Sequence, residues 1–365
     1  MKKVDAGRKG DVVCIPLGLP RLAEHVTIQQ DTYYMLGANP GIGKSAVVHD
    51  LFVLQPYEWM LANPTTHVKL KIFVFSLERK EEFYIAKWIC HRLFTKHGIL
   101  VHPRLILGMV PGISVPDRVF KLIEAEKAFF DTMLSSTVTL ISRRTTAPAL
   151  DKVIREWAEA NGTWDESTHR YTPNDPNLIT IILLDHLGRV VKTPGATDKA
   201  TLDYTSSVLQ KAKDRYGFSP VAVCQFNRAS ADMNRRKMTN FLPEQQDFKG
   251  SGNMYEDAEV VFSLFHPRQY GLTECFGFNI GDFDSASGFN RFRLATVLKN
   301  SLGADNINVP LNFIGEGGNI RELPRPDLMG PQEKFWAANP ARKAWDGTAI
   351  AYSFSQQKGK FSYGK

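Results

Sequence analysis

The run Gly37-Ala38-Asn39-Pro40-Gly41-Ile42-Gly43-Lys44-Ser45 restricts this chain more than any other feature. Glycines spaced this way before a lysine and a hydroxyl residue let consecutive backbone N–H groups turn inward around phosphate oxygens. The flanks supply the context such a loop needs. Thr32-Tyr33-Tyr34-Met35-Leu36 is apolar enough for a buried strand, and Ser45-Ala46-Val47-Val48-His49-Asp50-Leu51-Phe52 carries apolar residues at helical spacing. Strand, glycine loop and helix together read as the phosphate-binding loop (P-loop) of a nucleoside-triphosphate user, and the helix N-terminus adds a favourable field. Lys44 is expected at the β- and γ-phosphates and Ser45 at Mg²⁺, with Ala38, Asn39, Pro40, Gly41, Ile42, Gly43 and Ala46 completing the cradle. The pattern departs from the strict form, because its first glycine position holds Ala38 and Gly37 comes one place early. A flexible Gly/Pro turn is the plain alternative.

Beyond the loop, strand-like and helix-like runs alternate, which predicts an α/β fold: a mainly parallel twisted sheet with helices on both faces. Strands are expected at Tyr33–Leu36, Ile72–Leu77, Val138–Ile141, Ile179–Leu184, Val221–Gln225, Val260–Leu264 and Arg293–Leu298. Helices are expected at Lys44–Leu54, Glu81–Lys96, Pro116–Met133, Ala147–Asn161, Asp198–Tyr216 and Gly252–Glu259. Two stretches lack a helical period and read as surface insertions: the polar Gly162–Asn177 and the Gly/Phe/Asp-rich Gly271–Asn290. Residues 1–30 read as a short polar leader with turns at Pro16, Gly18 and Pro20, and the tail from Leu323 to Lys365, with Trp336 and Trp345, as partly disordered.

With 365 residues, 43% of them hydrophobic, the chain has room for one large α/β domain with insertions or two modest ones. A net charge of +7 permits an anionic partner such as nucleic acid without demanding one. Cys14, Cys90, Cys224 and Cys275 stand far apart with no C-x-x-C spacing, so they read as thiols in a reducing compartment, not as a disulfide framework or zinc site. No signal-peptide pattern and no apolar run of about 20 residues is present, so a cytoplasmic protein without a membrane partner is expected.

Phosphoryl transfer to water needs a metal, a positioned water and a group that senses the γ-phosphate besides the cradle. Leu178-Ile179-Thr180-Ile181-Ile182-Leu183-Leu184-Asp185 is an apolar strand ending in a carboxylate, the position from which an acid holds Mg²⁺ through water. Ile72-Phe73-Val74-Phe75-Ser76-Leu77-Glu78 is a second such strand, and Glu78 is the candidate general base, or a solvated or capping glutamate. Val221-Ala222-Val223-Cys224-Gln225 delivers a neutral amide at its end, a candidate sensor or a locally satisfied side chain.

Taken in order, Gly-Ala-x-Pro-Gly-x-Gly-Lys-Ser, Phe75-Ser76-Leu77-Glu78, Ile182-Leu183-Leu184-Asp185-His186-Leu187, Gln225-Phe226-Asn227-Arg228 and Gly250-Ser251-Gly252-Asn253-Met254-Tyr255-Glu256-Asp257-Ala258-Glu259 resemble the RecA-type motor domain of DnaB-like replicative DNA helicases. The resemblance runs from about Leu17 to Pro324, leaving residues 1–16 as an arm and 325–365 as a tail. It implies a RecA-like P-loop NTPase core that uses ATP and Mg²⁺, assembles as a homohexamer with ATP between subunits, and moves 5′ to 3′ on single-stranded DNA. It also implies Glu78 as catalytic base, Lys44 and Ser45 as phosphate and magnesium ligands, Asp185 as magnesium acid and Gln225 as sensor. Lys249, Gly250, Ser251, Gly252 and Asn253 match the loop that grips the DNA backbone. By its charge, the cluster Arg228, Arg235, Arg236 and Lys237 just before it is a candidate for the DNA path, with solvated surface charge as the plain alternative. A plain helix N-terminus is the alternative for that loop, and the two are compatible.

The chain also departs from the family. Where the family has a lysine and then an arginine reaching into the neighbouring ATP site, this chain has Lys299 and Ser301. Either Arg291 or Arg293 takes the arginine's place from another direction, or hydrolysis is slow, or the match slips there. His186 stands where an aromatic residue is usual and reads as packing or as a hydrogen-bond partner. No N-terminal helical domain like that of bacterial members is expected before the motor, a form that looks more like a bacteriophage or mobile-element protein or one whose partner domain is a separate chain, with a separate primase or loader as an expected partner. The competing readings are a recombinase- or loader-like ATPase that binds single strands without unwinding, and a nucleotide-switch scaffold.

Overall fold

Alternating inward and outward side chains explain why the apolar runs become buried strands. In the computed structural model, Ile181 and Leu183 enter one core while Ile182 and Leu184 enter another on the opposite face. Strands covered on both faces read as unbroken apolar runs, as these do. The structure describes residues 8, 13–227, 241–248, 252–285 and 288–339.

Among these, the main sheet has nine strands: β1 (Tyr34–Ala38), β2 (Lys69–Ser76), β3 (Val138–Ile141), β4 (Leu178–Asp185), β5 (Ser219–Gln225), β6 (Val260–Phe265), β7 (Phe292–Asn300), β8 (Ile307–Ile314) and β9 (Asn319–Glu322). Their order is β9-β8-β7-β6-β1-β5-β4-β2-β3. From β6 to β3 every pairing is parallel, whereas β7, β8 and β9 are added antiparallel at the other end. The helices that matter here are α1 (Lys44–His49), α2 (Gln55–Ala62), α3 (Glu81–His97), α4 (Asp117–Ala125), α5 (Ala147–Ala160), α6 (Asp198–Tyr216), α7 (Gly252–Asp257) and α8 (Pro331–Ala338). Residues of α1 and α3 (Ala46, Val47, Val48, Tyr84, Trp88) pack on one face of the sheet; Leu150, Ile154 and Ala158 of α5, with Val208, Leu209 and Ala212 of α6, pack on the other.

The expected α/β architecture is present, with several local corrections. The helix expected over Pro116–Met133 is interrupted: α4 ends at Ala125, a second helix spans Lys127–Thr132, and a π-turn follows at Met133–Thr137. A π-turn, Asp50–Leu54, likewise joins α1 to α2. The "leader" is structured from Cys14, which starts a strand pairing with Thr27–Gln29; Ile15, Leu17, Leu19 and Leu22 are buried in the main core. Gly162–Asn177 contains a hairpin, Gly162–Asp165 with Arg170–Pro173. The Gly271–Asn290 stretch does not lie on the surface throughout: Phe278, Ile280 and Phe283 join Phe292, Leu294 and Leu323 in a separate small core. Its aromatic residues supply apolar area that a loop reading overlooks.

Candidate functional site

The phosphate-loop residues take their places because β1 is central and fully buried. Gly37 lies within that strand under two aromatic rings, and a Cβ there would sit 2.3 Å from Phe248 and 2.6 Å from Phe226. Close approach, not turn geometry, therefore requires this early glycine. The turn itself needs Gly41 (φ 77°) and Gly43 (φ 107°), which adopt left-handed backbone before α1 starts at Lys44. The Lys44 ammonium folds back to donate to the Asn39 carbonyl at 2.9 Å, and its burial lowers its pKa.

Parallel pairing of β2 with β4 brings two acids to neighbouring strand tips. Ser76 is in register with Asp185, and the Leu77 N–H donates to the Asp185 carbonyl at 2.9 Å. Glu78 follows one residue later, and β5 ends beside them at Gln225. Lys44, Ser45, Glu78, Asp185 and Gln225 consequently line one cleft of about 400 Å³ with Pro40, Gly41 and Gly43.

Asp185 is 1% exposed, and neither carboxylate oxygen has a hydrogen-bond partner of ordinary geometry. Burial pushes its pKa up to about 6, Glu78 adds to the rise, and the nearby Ser45 hydroxyl and the Lys44 and Lys87 ammonium groups oppose it. Two orphaned carboxylate oxygens beside a serine hydroxyl make a hard-oxygen donor set suited to Mg²⁺. Glu78 is far more exposed; Arg189 approaches it at 3.6 Å. The Gln225 amide nitrogen lies 3.5 Å from His186 Nε2, and His186 Nδ1 accepts the Gly188 N–H at 3.2 Å. His186 is 6% exposed, so packing and hydrogen bonding account for it.

Helix α3 supplies cleft residues not anticipated from the sequence. Phe83, Tyr84 and Lys87 face the cleft, joined by Arg79 just before the helix. Their spacing along one helical face was the available signal, but apolar residues at that spacing usually mean core.

Lys299 and the two arginines meet different surroundings. The Lys299 ammonium donates to the carbonyls of Tyr255 (3.2 Å) and Glu256 (2.7 Å), near the end of α7. Arg291 pairs through both terminal nitrogens with Glu316, each at 3.0 Å. Arg293 is 1% exposed and donates to the phosphate-loop carbonyl of Ile42 at 3.0 Å. Both arginines, offered above as one alternative for the missing finger, are engaged within their own chain. Lys249, Gly250, Ser251, Arg235 and Arg236 lie outside the described residues, as does the Asn253 side chain; Gly252 and Asn253 begin α7.

No protein-family model and no curated protein sequence matches the chain. Solved structures do. The structure titled "ATPase Domain of G40P" aligns with a TM-score of 0.59 at 17% identity, covering 85% of this chain and 91% of that one. A second, "The Structure Of A DnaB-Like Replicative Helicase And Its Interactions With Primase", aligns with a TM-score of 0.62 at 15% identity, covering 85% of this chain. This chain spans 62% of that longer one. The sheet is the RecA-like P-loop fold that those structures share.

Proposed function

We propose that this chain is an ATP-hydrolysing motor that translocates on single-stranded DNA and unwinds duplex, working as a ring of identical subunits. The convergence of Lys44, Ser45, Glu78, Asp185 and Gln225 on one cleft carries the reading. Lys44 takes the β- and γ-phosphates once nucleotide replaces its contact to the Asn39 carbonyl, and the loop N–H groups cradle the phosphate oxygens. Ser45 and Asp185 hold Mg²⁺, which when bound neutralises charge on the phosphate oxygens. Glu78 accepts a proton from the attacking water, and Gln225 hydrogen-bonds the γ-phosphate, linking its loss to the loop that follows β5.

Lys249 through Asn253 and the Arg235–Arg236 pair serve as the backbone grip, with little base preference. Lys299 acts in the same nucleotide cycle from its neighbour's side, after giving up the α7 carbonyls it now holds. Movement is 5′ to 3′, and a separate primase or loader is the expected partner.

One observation favours a second reading, an ATPase that coats single strands without unwinding. Arg291 and Arg293 are both occupied, and Ser301 stands at the arginine position. Forked DNA with one tail or the other, supplied with ATP and Mg²⁺, separates the two. Strand displacement on the 5′-tailed fork is the expected result. DNA-stimulated hydrolysis with no displacement on either fork would leave the second reading, and no hydrolysis at all would remove both.

A further inference from the structure

The helix after the phosphate loop carries a buried histidine that the mechanism above does not use. His49 is 3% exposed and closes α1. Its ring stacks on Tyr84, centroids 5.0 Å apart and planes 19° off parallel, and tilts against Trp88 at 5.7 Å. The Trp88 indole donates its N–H to His49 Nδ1 at 3.1 Å. An indole nitrogen has no acceptor capacity, so Nδ1 must present a lone pair and the neutral ring must carry its hydrogen on Nε2.

That Nε2–H faces Oδ2 of Asp185 across 3.7 Å. By ordinary hydrogen-bond geometry neither His49 Nε2 nor either Asp185 oxygen has a partner, though the Ser45 hydroxyl lies near the carboxylate. A buried N–H and a buried carboxylate oxygen facing each other without a good bond are costly unless they come to share one. A distance of 3.7 Å is slightly long for a direct bond, and a small ring or carboxylate rotation closes it. The adjoining cavity, lined by Ser45, His49, Tyr84, Lys87 and Trp88, is about 10 Å³, room for no more than one bridging water.

We propose that His49 is a positioning residue for the magnesium acid: Trp88 fixes its tautomer, and its Nε2–H orients the Asp185 carboxylate beside Ser45. This rests on the reading of Asp185 as the acid that holds magnesium, through water, beside Ser45. Groups that hold a metal-binding carboxylate from behind set its orientation, and losing one weakens metal binding about 10- to 100-fold. A ring wedged between Tyr84 and Trp88 is held more firmly than a surface partner would be.

Equilibrium binding of a fluorescent ATP analogue, with Mg²⁺ titrated and no turnover required, tests this on the full chain. His49→Phe keeps an aromatic ring against Tyr84 but removes the donor. The Mg²⁺ needed for half-maximal tight binding should rise about tenfold, with affinity in EDTA within about twofold of wild type. His49→Gln, which returns an N–H near the Nε2 position, should recover most of the loss. Nitrogen-15 spectra of the wild-type protein should show His49 as the Nε2–H tautomer, and Trp88→Phe should mix the tautomers. A wild-type Nδ1–H tautomer would overturn the proposal even if no His49 variant folds. So would a folded His49→Phe protein with an unchanged Mg²⁺ requirement. If Mg²⁺ fails to alter nucleotide affinity in the wild type, the magnesium reading of Asp185 fails instead.

Discussion

Glu78 and Asp185 sit at adjacent strand tips yet in unlike surroundings, and that difference separates their roles. Asp185 is almost fully buried and neither oxygen has a partner of ordinary geometry, whereas the Glu78 side chain is 39% exposed and lies 3.6 Å from an exposed Arg189. A base that must accept a proton from water suits the open position, and a metal ligand suits the closed one. Glu78→Gln should therefore lower DNA-stimulated hydrolysis about 10²- to 10⁴-fold and leave nucleotide affinity nearly unchanged. Steady-state rates set beside equilibrium binding measure both, and unchanged stimulated hydrolysis would remove Glu78 as base. Arg189→Ala is a useful companion. An ion pair this exposed contributes about 0–1 kcal/mol, so the melting temperature should hardly move, and any rate change then reports on Glu78 and not on folding.

At the scale of elements, the π-turn linking α1 to α2 brings a carboxylate into the core. Asp50 is 1% exposed, accepts the Ile320 N–H of β9 at 3.0 Å and the Gln55 amide at 2.8 Å, and has its pKa pushed up to about 7 by burial. The folded chain thus keeps a proton that the unfolded chain, with its carboxyl near 3.8, gives up. Protonation favours folding in mild acid, and this contribution is lost as pH rises from about 4 through about 7. His91, 3.7 Å away and pushed down to about 4, acts in the opposite sense, its share being lost as pH falls. Asp50→Asn removes the first effect and leaves the second. Between about pH 5 and about pH 7.5, wild-type stability relative to Asp50→Asn should fall by about 2 kcal/mol, read from urea melts. Parallel curves for the two proteins would show that Asp50 ionises normally.

Element by element, what could be read from the sequence follows burial on two faces. β2, β4 and β5 carry long apolar runs and lead to Glu78, Asp185 and Gln225 at or just past their ends, so strands and cleft polar residues were visible together. β8 and β9 were not anticipated. Pro310 interrupts the first, which argues against an interior strand, and Gly315, Gly317 and Gly318 crowd the connection to the second. Pro310 is tolerated because its carbonyl still accepts the Leu323 N–H at 2.9 Å. Neither His49 nor Lys87 was identified, because a helical side chain reveals its neighbours only after two elements pack. The Gly271–Asn290 core failed for a related reason: its aromatic residues carry no strand or helix period. Phe283, 1% exposed within it, should cost about 3–5 kcal/mol when changed to Ala, as calorimetry would show. A loss under about 1 kcal/mol would restore the surface-insertion reading.

On the scale of the whole molecule, the proposed ring poses the question of what would complete each site across a subunit boundary. Ser301 is exposed at the end of β7, while Lys299 caps α7 within its own chain. Arg291 cannot leave without stranding Glu316, nor Arg293 without releasing the Ile42 carbonyl of the phosphate loop. An arginine supplied from a neighbour is worth on the order of 10³–10⁵ in turnover where it operates. Ser301→Arg should accordingly raise hydrolysis at least about tenfold at protein concentrations where subunits assemble, and not at dilutions where they separate. Mixing supplies the decisive version. A Lys44→Ala, Ser301→Arg subunit cannot turn over its own nucleotide, so any acceleration it confers on wild-type subunits comes from an arginine reaching across. If mixing changes nothing, an assembly completed in trans at this position is excluded. Glu316→Gln, which frees Arg291, then becomes the variant expected to accelerate the wild-type sites.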